Sequence, residues 1–292
     1  MRKLLVLVVL LTVAEAAIAQ SFYAIRKNRS LILVAGTGTS TYFGELSNPG
    51  DYFDAKLNIS AGLQYYITPQ ISLRTEVNWF TLQGTDAKAD NSDRQQRNLS
   101  FRSRNVELNA TGMINLFANG NRYYRRPYFN VYGYGGVGLL YFNPKAELNS
   151  TWHALQPLQT EGVEYSRITP VIPFGLGVRF KFGPNMNIAI EGGYRKIFTD
   201  YLDDVSTVYP NQAGLASDLA RSLSVRYENL APGYNAEGVQ RGNPSSDDGY
   251  MMVNVKLEYY LPFDLHDNGN GRMYSKKRST SYRYNKRGGL RR

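Results

Sequence analysis

Apolar and polar residues alternate along eight stretches of this chain, near 31–43, 55–67, 71–84, 98–117, 127–142, 167–182, 187–198 and 250–262. A period of two puts successive side chains on opposite faces, so each stretch predicts a β-strand with two distinct rows. In the second stretch Leu57, Ile59, Ala61, Leu63 and Tyr65 form one row, while Asn58, Ser60, Gly62 and Gln64 form the other. The third sets Ile71, Leu73, Val77 and Trp79 against Ser72, Arg74, Glu76 and Asn78. In the sixth, Phe174, Leu176, Val178, Phe180 and Phe182 oppose Gly175, Gly177, Arg179 and Lys181. Ile188, Ile190 and Tyr194 of the seventh oppose Asn187, Glu191 and Arg195. The last sets Met251, Val253, Val255, Leu257, Tyr259 and Leu261 against Asn254, Lys256 and Glu258.

Three short connections, 68–70, 118–126 and 183–186, alternate with four long polar ones, 44–54, 85–97, 143–166 and 199–249. Tight turns on one side and long loops on the other, with an even strand count, are the pattern of an outer-membrane barrel. A soluble β-sandwich also has short alternating strands, but its apolar rows would face a core and its polar rows water. Here the apolar rows are long and bulky, and the opposite rows mix charges with glycine. The expected fold is all-β: an eight-stranded antiparallel transmembrane β-barrel in the bacterial outer membrane. It contacts outer-membrane lipid and has a polar packed interior and four long extracellular loops.

An eight-stranded barrel is just wide enough for side chains to fill. The inward set includes Arg74, Arg179, Lys181, Arg195 and Lys256 with Glu76, Glu107, Glu191 and Glu258. These charges are expected to pair as an internal plug, because an unpaired buried charge costs several kcal/mol.

Composition agrees, with 27 Gly, 23 Tyr and 13 Phe. Tyrosine suits the two water–lipid boundaries, and glycine, as in the run Tyr132-Gly133-Tyr134-Gly135-Gly136-Val137-Gly138, relieves curvature in a small barrel. Residues 1–19 read as a signal peptide: Arg2 and Lys3, an apolar run over 4–13, then Ala17-Ile18-Ala19. The absence of cysteine excludes disulfides and thiolate metal sites.

The net charge of +10 is concentrated at one end of the chain. After Asp267 come Arg272, Lys276, Lys277, Arg278, Arg283, Lys286, Arg287, Arg291 and Arg292 with no acidic residue. The expected organisation is a barrel over 20–267 followed by a basic tail over 268–292, too poor in aliphatics to fold alone. An even-stranded barrel puts that tail in the periplasm, where it suits an acidic partner or anionic headgroups. The signal peptide argues against nucleic acid, although Tyr274, Tyr282 and Tyr284 among arginines would suit it.

Candidate chemistry is sparse. His153 and His266 should lie on opposite sides of the membrane, which rules out a shared metal site. Asp200, Asp203 and Asp204 lack the ligand spacing of a calcium loop. Ser206, His153 and Asp203 carry no nucleophile motif. No catalytic, metal or cofactor site is expected, and the aspartates serve turns. The loop over 199–249 is expected to hold an amphipathic helix around 211–223, with Leu215, Leu219 and Leu223 on one face.

Four segments also resemble motifs of a known family. They are Tyr42-Phe43-Gly44-Glu45-Leu46-Ser47-Asn48-Pro49, Asn98-Leu99-Ser100-Phe101-Arg102-Ser103, residues 152–162, and Phe198-Thr199-Asp200-Tyr201-Leu202-Asp203-Asp204-Val205-Ser206-Thr207. Together they resemble the Bacteroidota outer-membrane barrel family that includes the type IX secretion component PorG. The resemblance covers most of 31–263 and does not extend to the tail. It implies a non-enzymatic part of the protein-secretion and gliding machinery that anchors periplasmic machine subunits. A surface barrel binding a ligand, cell or matrix through its loops, and a lipid-modifying or hydrolytic enzyme, are the alternatives.

Overall fold

The computed structural model describes residues 29–48, 55–119, 125–227, 236–244 and 248–262. The expected signal peptide, His266 and the basic tail lie outside the described residues. Ten strands run in chain order: β1 (Leu31–Phe43), β2 (Lys56–Tyr66), β3 (Ile71–Thr85), β4 (Ser100–Asn115), β5 (Phe129–Tyr141), β6 (Pro144–Leu148), β7 (Thr151–Ala154), β8 (Ile168–Phe182), β9 (Met186–Ile197) and β10 (Gly249–Tyr260). Eight of them close a barrel in the order β3-β2-β1-β10-β9-β8-β5-β4, sealed by the β3–β4 pair, and every pairing is antiparallel. The eight-stranded barrel read from the alternation is therefore the fold. Strands β6 and β7 form a small hairpin in the 142–167 connection that the alternation did not announce. The connection between β4 and β5 spans 116–128, wider than the 118–126 expected.

The apolar rows face outward, as a lipid environment requires. Leu57, Ile59, Trp79, Leu108, Val137, Leu139, Phe174, Leu176, Val255 and Leu257 are all exposed. The opposite rows fill the lumen in three layers. At the short-turn end Ile32, Val34 and Tyr260 pack with Tyr66. Arg126, its guanidinium 4.9 Å over the Tyr260 ring, donates to Gly183, Pro184 and Met186 carbonyls and so ties the two neighbouring turns together.

Charges occupy the middle layer. Arg74 Nη1 meets Glu191 Oε1 at 2.5 Å, and Lys256 Nζ lies 2.6 Å from Glu76 and 2.7 Å from Glu191. Arg179 grips Glu258 bidentately at 2.6 and 2.7 Å. Arg195 approaches Glu107 at 3.9 Å, and Glu107 also accepts from Tyr250 and Asn78. These eight groups are all buried. Lys181, expected among them, lies apart: it sits at the short-turn end of β8, partly exposed, with Nζ 5.2 Å over the Tyr128 ring. Its place near the strand end keeps the ammonium at the water boundary, outside the buried charge layer.

The third layer, toward the long-loop end, is apolar. On β3 the inward row runs Arg74, Glu76, Asn78 and then Phe80 and Leu82, and on β10 it runs Glu258, Lys256, Asn254 and then Met252 and Tyr250. That switch prepares the strand tops to receive folded loops.

Candidate functional site

The four motif segments, scattered over more than 150 residues, meet in one place: a cap that closes the long-loop mouth of the barrel. Its apolar core joins Phe80, Leu82, Phe101, Leu140, Tyr250 and Met252 from the strands with Leu46, Leu99, Leu155, Leu202, Val205 and Leu223 from the loops. Phe142, Tyr165 and Tyr201 stack across it at 6.3 and 4.8 Å. Loops in water are normally polar and extended. These bury their leucines because the strand tops offer an apolar floor.

The helices are local consequences of capping. Thr85 caps a short 3₁₀ turn over Asp86–Lys88, and Asn91 caps α1 (Ser92–Arg97), which ends at Asn98 in a left-handed conformation (φ 50°). The helix expected around 211–223 is split. A 3₁₀ turn covers Gln212–Gly214, and α2 (Asp218–Ser224) starts afresh where the Ser217 hydroxyl accepts from the Ala220 amide. Gly214 and a strong cap at Ser217 favour a restart over one long helix. Leu215 and Leu223 are still buried, with Leu219 against the core.

Buried charge binds the cap's pieces together. Asp86 accepts both arms of Arg97 at 2.7 and 2.9 Å, plus the Leu99 amide. Arg97 in turn donates to the Arg241 carbonyl. The Arg241 guanidinium donates to Glu161 at 2.8 Å and to the Asp204 carbonyl. Asp204 accepts from Thr160 and, at 2.6 Å, from Tyr165. Glu161 accepts the Ser206 and Thr207 amides, each at 3.0 Å. The stretch 85–97, which reads as merely polar, thus supplies one of the cap's two buried guanidiniums. No periodic signal announces an Asp86–Arg97 pair.

Asp203 points the other way. It accepts from Tyr42 at 2.6 Å and from the Val205 amide, while Asp248 accepts from the same Tyr42 hydroxyl at 2.8 Å and from the Leu202 amide. Glu45, Asp203 and Asp248 bring carboxylate oxygens within 4.8 Å of one another. That donor set has the oxygen chemistry a hard cation uses, yet each aspartate has one oxygen held by a backbone amide and turns the other to the Tyr42 hydroxyl. One hydroxyl proton cannot serve two carboxylates, so the geometry calls for an added proton in the cluster. Burial, then the Glu45 charge, pushes Asp203 well up, and burial, then Asp203 and Glu45, does the same to Asp248. Burial also raises Glu45, and it lifts Asp204 to about 6 against the pull of Arg241.

These shifts set a sign. A carboxyl raised in the folded state contributes most below its unfolded value, about 3.9, and that contribution is lost as pH climbs through the folded value. The groups facing the cluster are Tyr42, Asp200, Glu161 and Arg97. Only Arg97 is cationic. Cap protection against proteolysis should therefore rise by roughly tenfold on going from pH 7 to pH 5. Unchanged or weaker protection at pH 5 would mean the carboxyls are not buried together.

The groups that could be drawn as a hydrolase are not assembled. Asp203 is taken by Tyr42 and Val205, Ser206 is buried, and His153 pairs with Ala146 in the β6–β7 hairpin. Among the described residues no hydrogen bond joins these three.

A closed barrel with lipid-facing apolar rows, a charged lumen and a capped mouth narrows the comparison with known proteins. The chain matches the outer membrane protein beta-barrel domain over residues 4–218. It belongs to that family. The barrel accordingly resides in the bacterial outer membrane, in contact with its lipid. Among solved structures, Neisserial surface protein A is 9% identical, with 79% of this chain and 97% of that one covered and a TM-score of 0.42. Ail of Yersinia pestis is 10% identical over 80% of this chain and 99% of its own, with a TM-score of 0.38. A major outer membrane protein from Thermus thermophilus is 13% identical over 79% and 99%, with a TM-score of 0.41. Among curated proteins no relative matches the chain.

Proposed function

We propose that this barrel is a non-conducting, non-enzymatic anchor of the type IX secretion machinery. In this reading 268–292 lies in the periplasm, and Arg272, Lys276, Lys277, Arg278, Arg283, Lys286, Arg287, Arg291 and Arg292 hold an acidic face of a machine subunit. One observation carries the proposal: the four segments that resemble the PorG-containing family are the segments that build the cap over a filled lumen. A barrel plugged by paired charges and closed by its own loops is suited to holding rather than transporting. The cap also commits its carboxylates to structural hydrogen bonds, which supports a role without turnover.

Crosslinking and pull-down from intact cells, with the full chain and with a chain lacking 268–292, tests this. Periplasmic secretion-machine subunits should be recovered with the full chain and be depleted at least tenfold without the basic segment. If the full chain never recovers them, the secretion role fails. Equal recovery without 268–292 moves the contact to the short turns. Recovery of a surface ligand through the loops instead would favour the binding-barrel alternative.

A further inference from the structure

Just above the lipid-facing band the outer surface changes character. The outward row of β4 runs Ala110, Leu108 and Val106, then Arg104 and Arg102. At about 3.3 Å per residue, the two arginines lie roughly 7 and 13 Å along the strand beyond Val106, whose partner across the ladder is Tyr141. The β6–β7 hairpin folds down beside them, pairing Lys145 with Arg102. Between β4 and the hairpin runs a groove of about 340 Å³ lined by Arg102, Arg104, Asn143, Lys145 and Trp152.

Three features mark this groove as a receptor for an anion at the membrane boundary. First, among the described residues Arg102, Arg104 and Lys145 form no ion pair or hydrogen bond with a carboxylate, and the one close partner is the Trp152 ring, 5.7 Å from the Arg102 guanidinium. Glu147, the nearest carboxylate on the hairpin, interacts with Arg226 above, which itself donates to Ser100 and so extends the basic strip up β4. Second, Asn143 Oδ1 is buried without a hydrogen-bond partner at the groove. Third, other cations near the long-loop ends of the strands sit on exposed aromatics: Arg167 lies 5.8 Å over Tyr141, and Lys196 5.9 Å over Phe198. Aromatic rings gather at the water–lipid boundary, so cations seated on them suit the headgroup zone.

We propose that the groove binds the phosphate of a phosphorylated glycolipid in the outer leaflet. Arg102 and Arg104 would supply planar forks for the phosphate oxygens and Lys145 a third positive charge. Turned toward the groove, the Asn143 amide would accept a sugar hydroxyl at Oδ1, and Trp152 would lie against the sugar where it meets the acyl chains. This lipid would sit against the wall of the barrel as a fixed shell component. The inference does not depend on the secretion role.

The test is native mass spectrometry of the full chain released from lipid nanodiscs containing lipopolysaccharide, comparing wild type, R102Q/R104Q and W152A. All three positions are on the outer surface, so heat-modifiable gel mobility should be the same for each. Wild type should retain one glycolipid adduct, and R102Q/R104Q should lose it by about tenfold or more, as the removal of charge-assisted bonds demands. Enzymatically dephosphorylated lipopolysaccharide should give no adduct with any form. Equal adducts in wild type and R102Q/R104Q, or equal binding of the dephosphorylated lipid, overturns the proposal. Displacement of the lipid by millimolar inorganic phosphate would overturn it too, by showing a site for a free anion.

Discussion

Glu191→Gln is expected to destabilise the barrel by about 3–5 kcal/mol. The Glu191 carboxylate lies 2.5 Å from Arg74, 2.7 Å from Lys256 and 2.5 Å from the Tyr132 hydroxyl, among buried side chains of the lumen. Neutralising it leaves Lys256 with Glu76 at 2.6 Å, and Arg74 with Glu76 and Glu258 only at 3.6 Å each, Glu258 being already gripped by Arg179. The loss arises from stranding a buried cation rather than from one missing hydrogen bond. A double variant, Glu191→Gln with Lys256→Met, removes one charge of each sign and should recover most of the stability. Urea unfolding in vesicles, followed through Trp79 and Trp152 fluorescence, compares the two. A single variant as stable as the double would show that charge balance in the lumen contributes little.

Arg241→Met should open the cap while leaving the barrel closed. The guanidinium is buried between Glu161 and Asp204, and its removal leaves two carboxylates facing each other and the Asp204 carbonyl without its donor. The expected loss is again about 3–5 kcal/mol, because one partner of a buried pair is gone. It falls on loop segments held by few other ties. Limited proteolysis within 199–248 should become fast at pH 7, with compact gel mobility of the unheated barrel retained. Acidification toward pH 5 should slow the cleavage in part, since burial raises the Asp204 carboxyl, the loss of Arg241 removes a pull that lowers it, and protonation takes away one of the stranded charges. Loss of barrel mobility together with the cap would show one cooperative unit and overturn the separation argued here.

Much of this organisation is legible along the chain. Leu73, Val77 and Trp79 facing away from Arg74 and Glu76 already specify which side meets lipid, because a strand's two faces are set by neighbours two residues apart. The row also held a clue to the cap. Phe80 and Leu82 continue the row of Arg74, Glu76 and Asn78, and an apolar end to a polar row needs something apolar above it. The β6–β7 hairpin gave less warning, since Pro144–Leu148 and Thr151–Ala154 are too short for periodicity to stand out. The groove beside it was hidden for the same reason: Arg102 and Lys145 become neighbours only once the hairpin folds onto β4.

The residues alone determined the eight barrel strands and which of their two rows meets lipid, since alternation and turn length act over a few neighbouring positions. Only the tertiary structure decided how the loops close the mouth. Tyr42 reaches Asp248 across 206 residues, and Arg97 meets the Arg241 carbonyl across 144. Such pairs leave no trace in local pattern, because any aspartate can pair with any arginine that the folded barrel brings within reach.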